Sequence, residues 1–436
     1  MASTALVTGL VAAGALAGVG TAAADEVPAH QGSGTSAVLD GLKTYDTAVI
    51  KTPGENGGKA HTERVPAGLF EMTVDGGGTL QTYCIDIHNP TQNKAKYLET
   101  PWAQSSLGKN DDAGKIRWIL EHSYPQVNDL ASLARKAGTG PLTERTAAAG
   151  TQVAIWRYSD DADVTAVNED AEKLADYLQG AAQSSSEPPA SLTLTPATVS
   201  GQAGGRLGPV TVHTDATEAS VAPPTGDAAN GVKITDKDGK AVTRATNGTE
   251  LYFDVPKGTA DGSARLSVQA TTTVPVGRVF TGVTKSQTQI LADSTESVFS
   301  AQATASWAAK GPVPAVTAQK NCAKGGMDFT VTNNGDQPFT FTFSAGTDYT
   351  VEAGGTKTVS LPVAEDTAYD ITLSGVDTEF TQNFKGVFDC VTTSAPGDDE
   401  GVETQDGASP SPAATAAAVT GGGEGDLATT GGSSAT

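Results

Sequence analysis

The residues best able to do chemistry here are cysteines, because an ionised thiol is a strong nucleophile. The chain holds three: Cys84, Cys322 and Cys390. An odd number in a secreted chain leaves one without a partner. Cys322 and Cys390 bracket a β-rich segment, and we pair them. A disulfide closing so long a loop contributes about 4 kcal/mol in the chain-entropy account. Cys84 is left over, in Tyr83-Cys84-Ile85-Asp86. Three states are open to it: an inert buried thiol, a nucleophile with His61, His88 or His122 as base, or one end of a different covalent bond.

Stepping outward, the elements that must position Cys84 have an α+β texture. Residues 67–86, GLFEMTVDGGGTLQTYCIDI, read as two strands around a turn at Asp75-Gly-Gly-Gly78, with Cys84 near the end of the second. Residues 111–122, 143–158 and 167–181 carry helical periodicity. In the second of these, Ala148, Gln152, Ile155 and Trp156 share one face. A carboxamide on that face is drawn into the core and needs partners there. Three of the four tryptophans lie in this region, at 102, 118 and 156.

Downstream the pattern changes to short alternating runs separated by Gly, Pro, Asn and Asp, as in a β-sandwich. Two such modules are expected, 187–312 and 313–393. The second includes Phe339, Phe341 and Phe343 alternating with Thr. The predicted fold class is therefore multi-domain: an α+β N-terminal domain, two all-β sandwich (Ig-like) modules and a disordered acidic tail. Neither module suggests catalysis, and both read as stalk.

The two ends read as processing signals. Residues 1–24 are uncharged and rich in Ala, Val, Leu and Gly, with a small-residue ending at Ala24, the pattern of a secretory signal peptide cleaved after Ala24. No Lys or Arg precedes the apolar run. Residues 394–426 are rich in Gly, Ser, Pro, Ala and Thr and contain no cation, so they cannot bury enough apolar surface to fold and read as a spacer.

Charge and composition exclude several functions. With 28 Lys plus Arg against 50 Asp plus Glu, the net charge is −22, which argues against nucleic acid as a partner. The histidines at 30, 61, 88, 122 and 213 are scattered without ligand spacing, so no metal site and no cofactor is expected. Asp75-Gly-Gly-Gly78 lacks the lysine of a phosphate loop.

Two separated motifs carry a specific likeness. YCIDIHNP, followed 68 residues on by the Gln of TQVAIW, resembles the thioester domain of Gram-positive, actinobacterial-type surface proteins over about residues 40–183. The resemblance implies a bond between Cys84 and Gln152. It also suggests a supporting shell of Tyr83, Asp86, His88, Thr151 and Trp156. Strand alternation would place Asp86 and His88 on the Cys84 face. Leu427-Ala428-Thr429-Thr430-Gly431 resembles the L-A-x-T-G signal that a sortase cleaves, here between Thr430 and Gly431; in that family an apolar helix and basic tail follow, whereas Gly432–Thr436 follows here. The chain is then organised as signal peptide 1–24, thioester domain 25–186, β modules 187–312 and 313–393, wall-spanning linker 394–426 and sorting motif 427–431. The implied function is that of a secreted, peptidoglycan-anchored monomeric adhesin. Its thioester captures an amine on a surface protein or glycan, once per molecule, and is therefore not an enzyme. The alternatives are a structural wall protein with an inert Cys84, and a secreted cysteine-nucleophile enzyme.

Overall fold

A computed structural model describes residues 35–53, 59–344 and 346–392. Ala24, the spacer and the sorting motif lie outside the described residues.

The N-terminal sheet has seven strands. In sequence they are Ser36–Thr52, His61–Val74, Thr79–Cys84, Lys96–Thr100, Val164–Ala166, Val279–Gly282 and Gln289–Ser294. In space the order runs from His61–Val74 through Thr79–Cys84, Gln289–Ser294, Val279–Gly282 and Lys96–Thr100 to Ser36–Thr52, with Val164–Ala166 outside. Ser36–Thr52 also pairs along its length with His61–Val74, from Ala37 opposite Val74 to Thr52 opposite His61. The sheet thus closes on itself, which removes the open edges that invite aggregation. The expected hairpin around 75–78 is present as Val74 and Thr79 flanking a turn, with Gly77 and Gly78 at positive φ.

Helices Ala113–His122, Glu144–Ser159 and Glu169–Ala181 stand where periodicity placed them, and a fourth, Leu130–Ala137, joins them. Glu144–Ser159 is buried over most of its length. Thr143 caps its start: the Thr143 side chain accepts from the Thr146 N–H, and the Thr146 side chain accepts from the Thr143 N–H at 2.9 Å. A Cβ on Gly150 would lie 2.5 Å from the Ala171 carbonyl oxygen, so glycine is what lets Glu169–Ala181 pack so closely on this helix.

One boundary differs from the sequence reading. Residues 279–294, expected inside the 187–312 module, form a hairpin that pairs with the cysteine strand, Gln289 opposite Cys84 and Ile290 opposite Tyr83. The strands on either side, Gly262–Thr272 and Ser297–Ala308, pair with each other from Gly262 opposite Trp307 to Thr272 opposite Ser297. The connection between two neighbouring strands of the middle module is therefore an excursion that completes the N-terminal sheet. Arg278 holds it there. Its Nε donates to Glu99 at 2.7 Å and its Nη1 to Glu187 at 2.7 Å, with both Arg278 and Glu99 buried.

The rest of the middle region makes a four-stranded and a five-stranded sheet, and its apolar side chains join those of the N-terminal domain in one continuous core. Residues 314–388 form a three-stranded and a four-stranded sheet around a second, separate core. Phe329, Phe339, Phe341, Phe343 and Phe384 fill it, and Phe339, Phe341 and Phe343 point inward as their alternation predicts. Cys322 and Cys390 form the expected disulfide across its end.

Candidate functional site

Cys84 is the last residue of its strand. The neighbouring strand His61–Val74 pairs only as far as Thr82, opposite Phe70. Beyond that point the Cys84 N–H and C=O have no backbone partner on that side, and leaving them bare in the core would cost about 1–3 kcal/mol each. The side chain of Gln152 takes the place of the missing strand. The Cys84 N–H donates to Gln152 Oε1 at 3.0 Å, and Gln152 Nε2 donates to the Cys84 carbonyl at 2.8 Å. Both residues have 0% exposure. The two groups that the motifs link are thus held together by a two-point contact at the junction of strand and helix.

Several neighbours set this geometry. Thr151 donates to the Ala147 carbonyl at 2.7 Å and meets the Ser123 hydroxyl at 2.6 Å, which fixes the rotation of the helix presenting Gln152. Tyr83 is buried, and its hydroxyl donates to the Tyr124 carbonyl at 2.8 Å. Trp156 has 0% exposure, and its indole N–H has no hydrogen-bond partner.

The chain leaves strand geometry after Cys84, so alternation does not carry to Asp86 and His88 as expected. Asp86 meets the cysteine through its backbone, with its N–H donating to Cys84 Sγ at 3.2 Å. Its carboxylate turns to Asn89, which donates to Oδ2 at 2.6 Å. His88 is half-buried, with its imidazolium disfavoured by burial, and makes no described hydrogen bond to Cys84 or Gln152. Neither His61 nor His122 makes a described hydrogen bond to Cys84 or Gln152. His61 is exposed at the start of its strand, and exposed His122 stacks on Trp118 and bonds the Trp118 carbonyl. His213 is exposed on a middle-module strand.

The electrostatics oppose a free thiolate. Burial raises the Cys84 thiol well above its ordinary range, and the carboxylates of Asp160 and Asp86 raise it further; the Asp86 N–H opposes them. A neutral acyl sulfur would carry none of this penalty. Asp160, which neither motif identifies, caps the C-terminus of the glutamine helix and accepts from the Ile87 N–H at 2.8 Å and the Ser159 hydroxyl at 2.5 Å. Burial pushes its carboxyl up to about 7, so it exchanges protons near neutrality. Its only sequence trace is the Ser-Asp after the helix.

The C-terminal module touches this corner. Thr288 of the hairpin donates to Asp389 at 3.0 Å, Asn89 reaches Asp366 at 3.4 Å, and Thr392 donates to the Ser159 carbonyl at 3.2 Å.

Residues 81–184, which include both Cys84 and Gln152, match the family described as "Thioester domain". Residues 314–387 match "Bacterial phospholipase C, C-terminal domain". No curated protein matches the chain. Among solved structures, the Bacillus anthracis TIE protein is similar at 15% identity and a TM-score of 0.27, covering 82% of this chain and 81% of that one. The thioester domain of the Enterococcus faecium TIE86 protein is similar at 16% identity and a TM-score of 0.27, covering 63% and 96%. The thioester domain of the Staphylococcus aureus TIE protein is similar at 11% identity and a TM-score of 0.22, covering 63% and 99%. TM-scores this low establish no common overall architecture, so the domain assignment rests on residues 81–184.

Proposed function

We propose that Cys84 and Gln152 form an internal thioester, and that the protein is a surface adhesin that uses it once, to bond covalently to an amine on its target. The observation that carries this reading is the two-point contact of the Gln152 carboxamide with the Cys84 backbone inside a dry core. In the first step the sulfur adds to the side-chain carbonyl of Gln152. The S–C bond forms, the C–N bond breaks, and the thiol proton leaves with the amide nitrogen as ammonia. An amide is a poor electrophile, but fixing both groups in one geometry supplies an effective molarity of roughly 10⁵–10⁸ M. Asp160, whose carboxyl is raised to about 7 and whose charge acts on the thiol, is the group we assign to take and return the proton. In the second step a target amine adds to the thioester, an amide forms at Gln152, and Cys84 returns as a thiol. Tyr83 and Trp156 exclude water until then.

The remaining features fit a displayed protein. The signal-like 1–24 and the sortase-like 427–431 support a protein outside the cell, joined to peptidoglycan, with the Ig-like β modules as the stalk. No helix among the described residues is long and apolar enough to cross a membrane. The target is an amine-bearing surface protein or glycan. Methylamine tests the capture step. It is expected to become bonded to Gln152 and to release a Cys84 thiol that alkylates after unfolding; an unmodified Gln152 after prolonged exposure would overturn the proposal.

A further inference from the structure

A second cluster of reactive groups lies where the C-terminal module meets the cysteine corner. Glu365, Asp366 and Asp389 each place a carboxylate oxygen within 4.8 Å of the others. That is about the widest spacing that oxygens sharing one calcium ion at 2.3–2.6 Å can have. Each carboxylate is already held by a donor. Glu365 Oε1 accepts from the Cys390 N–H and, at 2.8 Å, from the Val391 N–H; Asp366 Oδ1 accepts from Asn89; Asp389 Oδ2 accepts from Thr288. Two buried oxygens remain without any partner: Asp389 Oδ1, in a residue 8% exposed, and Asp86 Oδ1, in a residue 0% exposed. One Asn89 nitrogen spans Asp86 (2.6 Å) and Asp366 (3.4 Å), so the Asp86 carboxylate stands at the edge of the cluster. Burial and neighbouring carboxylates raise both: Asp86 by Asp389 and Asp160, and Asp389, to about 6, by Asp366 and Glu365. The cation that offsets Asp389 is Lys320, itself buried and made less basic by that burial.

We propose that Glu365, Asp366 and Asp389 bind a calcium ion that fastens the C-terminal module to the cysteine loop and the hairpin. The donor set is hard oxygen alone, which suits calcium, and the cluster joins four stretches of chain distant in sequence: Thr288 in the hairpin, Asn89 after the cysteine, Glu365-Asp366 and Asp389. Sequence spacing gave no expectation of a metal site, because Glu365-Asp366 and Asp389 meet only in the folded chain. The site does not require the thioester, so Cys84→Ala should bind calcium as the unaltered chain does, whatever becomes of the thioester reading.

The test is calorimetric titration of the full chain, stripped with EDTA, with calcium chloride and separately with magnesium chloride. One calcium per chain is expected, together with an increase in melting temperature and a weaker response to magnesium. Asp366→Asn should weaken calcium binding at least tenfold, on the order expected for losing one charged ligand. Asp366 sits at φ 54°, a conformation asparagine accepts readily, so this variant keeps the loop. Asp389→Asn should act similarly, whereas Asp348→Asn, on an exposed strand, should change nothing. Absence of binding at about 1 mM calcium, the weak end of the range for such sites, would overturn the proposal. So would binding that Asp366→Asn and Asp389→Asn both leave unchanged.

Discussion

The two cores of this chain are built differently. The C-terminal core is an aromatic cluster, with Phe329 against Phe343 and Phe384 at centroid distances of 4.9 and 5.2 Å, tied at one end by a disulfide. The core around Cys84 is larger and contains many polar groups. Gln152, Thr151, Asp86, Asp160 and Gln289 are all buried in it, and Trp156 Nε1, Asp86 Oδ1 and Gln289 Nε2 have no partner. Buried polar groups without partners cost stability. Several lie around the Cys84–Gln152 contact, and others, Tyr369 Oη and Asn383 Oδ1 among them, lie in the C-terminal module. The contrast is between a core built largely on aromatic packing and one that also encloses the Cys84–Gln152 contact.

Mutations should separate the two cores. The largest effect is expected for Arg278→Ala, which leaves Glu99 buried and unpaired and unpins the hairpin; it should cost up to about 5 kcal/mol. Chemical denaturation should show the loss in the transition of the N-terminal and middle regions, with the C-terminal core unaffected. Replacing Cys322 and Cys390 with Ser should cost about 4 kcal/mol in the C-terminal core alone, detectable as early proteolysis within 314–390. In a Cys84→Ala background, where no thioester can form, Gln152→Ala strips the backbone N–H and C=O at position 84 of their partners and should cost about 2–3 kcal/mol in the first core. Equal losses across both transitions in any of these three would contradict two separate cores.

A smaller, pH-dependent effect is expected at Asp160. Its carboxyl is raised to about 7 in the folded chain against 3.8 when unperturbed. A raised carboxyl stabilises the fold when protonated, so its contribution is complete below about pH 4 and is lost as the pH rises toward 7. Asp160→Asn should remove that loss. The difference in unfolding free energy between variant and unaltered chain should move in the variant's favour by about 1 kcal/mol per pH unit across that interval. A flat difference would show that Asp160 is ionised throughout.

Local signals in the sequence were sufficient to single out Cys84 and Gln152, which the fold brings into contact. Cys84 ends a strand whose alternation is readable, and Gln152 shares a helical face with Ile155 and Trp156; each is a matter of a few neighbouring residues. The alternating phenylalanines of the C-terminal core were legible for the same reason. What escaped was long-range. The strand at 289–294, Gln-Ile-Leu-Ala-Asp-Ser, is a short apolar run of the kind any sandwich strand could carry, and nothing in it says that its partner is Thr79–Cys84 rather than a neighbour in its own module. Its true position depends on Arg278 meeting Glu99 and Glu187, three residues scattered along the chain. The burial of Asp160 was hidden likewise, because a single aspartate at the end of a helix reads as an ordinary cap until folding encloses it.

The most direct test of the central claim is the intact mass of the full chain. The account predicts a mass lower by one ammonia than the sequence requires once the disulfide is allowed for, with the deficit absent in both Cys84→Ala and Gln152→Ala. A mass without that deficit, together with a Cys84 thiol that alkylates quantitatively on unfolding, would contradict it.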